Sequence, residues 1–197
     1  MFSFKFAISH FLHQRKAINR HGLHSPFVYR LVDEVIYDFS EKKVYADIQK
    51  KLPAGKKLNA VDKLVGRLAA DAHPQSIWIL GRHEAYKQAL LSAFTQQLTL
   101  KSVDNAEDWK GTNLPNLVYL DFKTNPQSAV DYFLKVLNKI KPDTLVIADN
   151  INENQLAKAA WRTIQSHSKV TVTVNLFWLG LIYCRPGQVK EDFLIKF

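Results

Sequence analysis

Residues 170–176 and 178–184 are both rich in β-branched and large apolar side chains, and only Phe177 separates them. Two such runs with so short a connection fold back on each other as an antiparallel hairpin. Ahead of them, from Ser76, apolar runs of strand length alternate with helical stripes. That alternation dictates an α/β fold with a mainly parallel sheet and helices on both faces. A parallel sheet closed by an antiparallel hairpin is the less common combination, and it narrows the field more than any other feature of the chain.

The chain divides into a helical front and this α/β body. In the front, Ser25 is a good N-cap and Pro26 a good first helical residue. Phe27, Val28, Leu31, Val32, Val35 and Ile36 then recur at helical spacing. Val44, Ile48 and Leu52 mark a shorter helix broken by Pro53-Ala54-Gly55. Leu58, Val61, Leu64, Val65, Leu68 and Ala72 mark a third, ended at His73-Pro74. In the body, residues 77–80, 97–103, 117–120 and 144–148 read as strands. The helices between and after them carry Tyr86, Ala89, Leu90, Ala93 and Phe94, then residues 129–140, then 155–166. Residues 189–197 read as a last edge strand or tail. One domain is expected, with residues 1–74 packed as a helical extension on a core of 75–197.

Length and composition set the class. A chain of 197 residues with 47% hydrophobic and 23% charged residues buries a core and is not disordered. The one cysteine, Cys184, excludes an internal disulfide and fits a cytoplasmic setting. Its strand context predicts a buried thiol. No apolar run approaches the ~20 residues of a membrane span, and the start does not read as a signal peptide. Lys and Arg number 27 against 18 acids, a net charge of +9. Before Asp33 there is no acid, while Lys5, Arg15, Lys16, Arg20 and Arg30 are basic. Such a segment suits RNA, DNA or an anionic lipid surface, or is a solvated helix face.

The string HGLHSPFVYRLV (21–32) and the ending VTVTVNLFWLGLIYCRPGQVKEDFLIKF (170–197) resemble a group of Bacteroidota proteins classed as class I S-adenosylmethionine (SAM)-dependent methyltransferases. The resemblance covers the N-terminal helices and residues 117–197 and is weakest between Gly81 and Asn116. It implies a Rossmann-like sheet with an antiparallel last strand, in agreement with the hairpin. It also implies a SAM site beyond the carboxyl ends of the strands, where ligands of such sheets sit.

The family pattern there resembles E-L-G-x-x-x-G. This chain has Ile79 at the acid position, Gly81 at the first glycine and Ala85 at the second. Gly81 is the one cofactor-loop residue retained, and for a lone glycine after a strand a plain turn is the better reading. The ribose acid is expected at the end of the next strand, where the obvious positions hold Lys101 and Ser102; Asp104 substitutes only if the register slips, and otherwise reads as a surface Asp. The stretch from Gly81 to Asp121 holds one helix, one strand and a short linker. A strand-helix-strand unit takes about 30 residues or more, so one βα unit is expected to be shortened or missing.

Two strand ends keep polar residues: Leu120-Asp121-Phe122-Lys123 and Ala148-Asp149-Asn150. They resemble the magnesium-binding Asp and Asp-Asn of catechol O-methyltransferase-like enzymes. The resemblance implies Mg²⁺ on Asp121, Asp149 and Asn150, with Asp121 also beside the cofactor. Two carboxylates and an amide oxygen suit a hard cation, and the same residue types also cap helices. His10, His13, His21 and His24 form two H-x-x-H pairs that could grip a metal from a helix or fix the turn into the second helix. Trp161, Phe177 and Trp178 read as core rather than a base-stacking platform, with a substrate mouth as the alternative for Trp178 in the hairpin.

The reading adopted is a SAM-dependent methyltransferase-like protein with a degraded cofactor site and weak or no catalysis. The alternatives are an active, Mg-assisted O-methyltransferase on a small acceptor, and a nucleic-acid-binding module using the basic N-terminal helices.

Overall fold

Strand β1 (Ser76–Leu80) is buried at every position, and its side chains divide by alternation. Ile77 and Ile79 enter one apolar cluster, Trp78 and Leu80 another. β3 (Leu117–Asp121) and β4 (Leu145–Asp149) repeat the division: Leu117, Tyr119, Leu145 and Ile147 to the first side, Val118, Leu120, Val146 and Ala148 to the second. Strands buried on both faces make a near-continuous apolar run and need helices above and below. The computed structural model has that arrangement, and it describes residues 4–52, 55–80, 85–93, 99–103 and 115–197.

The sheet contains seven strands in the order β2-β1-β3-β4-β6-β5-β7, where β2 is Thr99–Val103, β5 Val172–Asn175, β6 Leu179–Tyr183 and β7 Glu191–Leu194. β2, β1, β3 and β4 are parallel. β6 is antiparallel to β4 and to β5, which is the expected hairpin. β7 lies parallel to β5 at the far edge. The seventh strand is thus the C-terminal edge. Between β1 and β3 the described residues hold one helix and one strand, and β2 is the sheet's other edge.

One face is covered by the helical front and by α5 (Ala85–Ala93). The front comprises α1 (Phe4–Lys16), α2 (Pro26–Arg30, running on as a π-helical stretch Leu31–Ile36), α3 (Lys43–Lys51) and α4 (Ala60–Asp71). The opposite face takes α6 (Pro126–Val136) and α7 (Gln155–Ser166). Ser25 caps α2 as its position predicted. The expected stripe on α5 is rotated: Lys87, Leu90 and Leu91 are its buried residues, while Ala89 is exposed. Cys184 lies just past β6 and is half-buried, not enclosed within a strand. Burial still pushes its thiol pKa up to about 11.

Candidate active site

β3 and β4 pair with Asp121 opposite Asp149, so the register alone brings two carboxylates to the same end of the sheet. Asn150 follows in the left-handed region (φ 62°), a conformation Asn tolerates better than most residues. Its backbone N–H points back to Asp149 Oδ1 (2.9 Å) and to the Trp178 carbonyl (2.9 Å). Its side-chain amide donates to Asp121 Oδ1 at 2.8 Å, and the Lys123 N–H donates to the same oxygen at 2.9 Å. The three residues singled out in the sequence are therefore brought together as one hydrogen-bonded cluster.

A fourth residue, not anticipated from the sequence, decides the chemistry of the cluster. The Lys87 ammonium lies 3.0 Å from Asp149 Oδ2 and 2.8 Å from Asp62 Oδ1. Its side chain is 8% exposed and those of Asp62 and Asp149 are 0% and 5%. Tyr119, fully buried on β3, donates its hydroxyl to Asp149 Oδ2 at 2.5 Å. Asp62 also builds α4: its backbone N–H donates to Asn59 Oδ1, and its carboxylate accepts the Asn59 N–H, a complete capping box. One carboxylate thus starts a helix of the front and holds a cation over the strand ends of the body. The sequence signal for Lys87 was its place at the head of the run Lys87, Leu90, Leu91, which is spaced i, i+3, i+4.

The electrostatics follow from burial and pairing. Desolvation pulls the Lys87 pKa down, but the charges of Asp149 and Asp62 outweigh it and hold the ammonium above the ordinary lysine value. Asp121 goes the other way. Desolvation raises its pKa, and the Lys123 N–H and the Asn150 amide only partly offset that. The Tyr119 hydroxyl is pushed well above its usual value by burial and by the neighbouring Asp149 and Asp121 charges.

A divalent cation does not fit this donor set. Mg²⁺ takes near-octahedral oxygen ligation at about 2.0–2.1 Å. Here Asp149 already accepts from Tyr119, Lys87 and the Asn150 N–H, and the Asn150 amide is turned to donate. A metal on Asp149 Oδ2 would also face the Lys87 ammonium at close range, like charge against like charge. Among the described residues no group of three His, Cys, Asp or Glu side chains is arranged to hold a metal.

The cluster floors a cavity of about 180 Å³ lined by Asn59, Tyr86, Lys87, Asp121, Asn150 and Trp178, among others. Sites for drug-sized ligands span roughly 300–1,000 Å³. Trp178, read first as core, is half-buried and lines it. Gly81 and Asp104, the candidate cofactor contacts, lie outside the described residues. Ile79, at the acid position of the cofactor pattern, is fully buried in the core.

His10 packs tilted and His13 edge-on against Phe177, and His13 Nε2 lies 3.1 Å from the Ile195 carbonyl. His21 lies in a 3-10 turn, Arg20–Gly22, ahead of α2, and both His21 and His24 are exposed. The two distinctive strings meet far from the cluster, at the amino end of β4. There the Phe27 ring lies edge-on to Tyr183 (4.8 Å between centroids) and 4.4 Å beneath the Arg185 guanidinium.

No protein-family model matches the chain, and no curated protein does. Solved structures do. The SAH-bound methyltransferase PaMTH1 of Podospora anserina is 10% identical, over 94% of this chain and 97% of its own, with a TM-score of 0.52. The O-methyltransferase TomG of Streptomyces achromogenes, in complex with SAM, is 16% identical, over 80% and 95%, with a TM-score of 0.50. An SAH-complexed O-methyltransferase of Bacillus cereus is 12% identical, over 75% and 93%, with a TM-score of 0.50. At these identities the likeness is one of architecture: the chain has the mainly parallel α/β sheet of the Rossmann-like methyltransferase fold.

Proposed function

We propose that this chain is a SAM-dependent methyltransferase-like protein with a degraded cofactor side, weak or no methyl transfer, and no metal at its strand-end cluster. The observation that carries the reading is the Lys87 ammonium between Asp62 and Asp149. In metal-assisted O-methyl transfer a divalent ion orients the acceptor hydroxyl and lowers its pKa. Here the cluster's positive charge is a lysine committed to two carboxylates. Ile79 and Ala85 in place of the acid and second glycine support loss on the cofactor side. Methyl transfer depends on holding donor and acceptor in line, so a site that holds the donor poorly loses rate first. What the cluster retains is an acceptor-side recess with a cation, a raised-pKa carboxyl at Asp121 and an indole at its mouth. That recess suits a small polar ligand, and we assign the chain a binding role there.

Calorimetric titration with SAM and with S-adenosylhomocysteine, with and without Mg²⁺, tests this. Millimolar or absent binding, unchanged by Mg²⁺, is expected. Micromolar SAM binding that is strengthened by Mg²⁺ and lost in Asp121→Ala would overturn it in favour of an active, metal-assisted enzyme.

A further inference from the structure

The basic residues that precede Asp33 do not form one patch. Arg20 pairs with Asp33 at 2.6 Å, and Arg30 with Asp71 through two contacts of 2.8 Å. The remaining three, Lys5, Arg15 and Lys16, all lie on α1, are exposed, and form no ion pair among the described residues. Among the basic residues that precede Asp33, the charge left without an ion pair is therefore concentrated on one helix.

That helix has two apolar faces. Its inner face, Phe6, His10, His13 and Ala17, packs on Phe177 and Trp178 and against the C-terminal strand. The Ile18 N–H donates to the Leu194 carbonyl, the Gln14 amide to the Phe197 carbonyl, and the Lys158 ammonium to Ser9. The outer face carries Phe4, Ile8, Phe11 and Leu12 at helical spacing, exposed by 82%, 43%, 60% and 47%. Single exposed apolar residues need no explanation, but a contiguous stripe of two Phe, an Ile and a Leu does. Lys5 and Lys16 flank one side of this stripe and Arg15 lies within it, with no acid on the helix.

We infer that α1 is an interfacial helix that seats this protein on an anionic lipid surface, with Phe4, Ile8, Phe11 and Leu12 in the headgroup–acyl boundary and Lys5, Arg15 and Lys16 on the anionic headgroups. An apolar stripe flanked by Lys on one side, with Arg15 at its carboxyl end and no acids, matches the Lys/Arg-and-apolar composition such helices use. Charge excludes the simplest alternative for an apolar face. A second copy docked through the same helix would set Lys5, Arg15 and Lys16 against their own equivalents. Nucleic acid would satisfy the charges but leave the Phe and Leu side chains without an apolar environment. The bonds to β7, Lys158 and the C-terminus hold the helix backbone folded before it binds, so association does not have to order it.

Vesicle flotation tests this with the full chain, using phosphatidylcholine vesicles with and without phosphatidylserine. Binding to the anionic vesicles is expected to exceed binding to the neutral ones at least about tenfold and to collapse at high salt. The doubly substituted Phe4→Ser/Phe11→Ser protein, and separately Lys5→Glu/Lys16→Glu, are each expected to lose about tenfold or more with the circular dichroism spectrum unchanged. Both pairs are exposed, so the fold is not at stake. Anionic-vesicle binding that is indifferent to the Phe pair would overturn the proposal. So would a dimer in sedimentation velocity that the Phe pair dissociates, or single-stranded RNA bound in preference to vesicles and unaffected by the Phe pair. SAM binding is read on a different face, so either result stands apart from the cofactor titration.

Discussion

Lys87 is a buried charge whose removal leaves Asp62 and Asp149 facing each other across a dry gap. Removing one partner of a buried ion pair costs about 3–5 kcal/mol, so Lys87→Met is expected to lose that much in urea unfolding. A loss below about 1 kcal/mol would mean the ammonium is not holding the cluster. Asp121 makes an opposite prediction. Its folded-state pKa is raised, chiefly by desolvation. The folded protein therefore binds this proton more tightly than the unfolded chain does, and stability falls as pH rises from the ordinary carboxylate range through the raised value. Asp121→Asn keeps the acceptor oxygen for Lys123 and Asn150 and should unfold at a higher temperature at neutral pH, with that fall flattened. Gly180 is fixed by packing: an added Cβ would meet the Trp161 ring at 2.3 Å. Gly180→Ala should cost about 1–3 kcal/mol by overpacking, read as a lowered thermal midpoint. At this scale Asp121, Asp149 and Asn150 were legible because a strand that ends in acid announces where its side chain goes. Lys87 was not. Its partners lie 25 and 62 residues away in opposite directions along the chain, and a lysine on a helix reads as solvated unless the burial of its stripe is known.

At the scale of elements, the closing hairpin was legible to within a residue or two at its ends because β-branched runs with one residue between them have few ways to fold. The front was legible as helices but not in its function for the site. Nothing in the pattern of α4 says that its first-turn acid also reaches Lys87; only the packing of α4 on α5 does. Asn59→Ala tests the coupling. Losing an N-cap costs about 1 kcal/mol, and α4 is expected to lose hydrogen-exchange protection in its first turn together with that of α5. Loss confined to α4 would show that the capping box and the ion pair are independent. The π-helical stretch after α2 is a further element that periodicity did not show. Arg67 accounts for its ending: the guanidinium donates to the carbonyls of Val35 and Ile36 at 2.8 and 3.1 Å. Those are carbonyls a helix end would otherwise leave without partners.

For the whole molecule, the sheet order explains why fold and chemistry part company. The determinants of architecture are the alternating strands that feed two apolar clusters, the hairpin, and the β7 edge held by α1. They rest mainly on the interior residues of the strands, so a site at the carboxyl ends can change while the sheet persists. The expected shortening between β1 and β3 agrees with β2 standing at the edge among the described residues. The central claim is that the protein's own lysine provides the positive charge at the Asp62–Asp149–Asp121 cluster in place of a divalent metal. Titration of the purified protein with Mn²⁺, followed by calorimetry and by the electron paramagnetic resonance signal of the free ion, tests it most directly. No saturable site is expected in the wild type, and one is expected in Lys87→Ala, where Asp149 at the cavity and Asp62 behind it have lost their shared cation. A wild-type Mn²⁺ site that Asp149→Asn abolishes would contradict it.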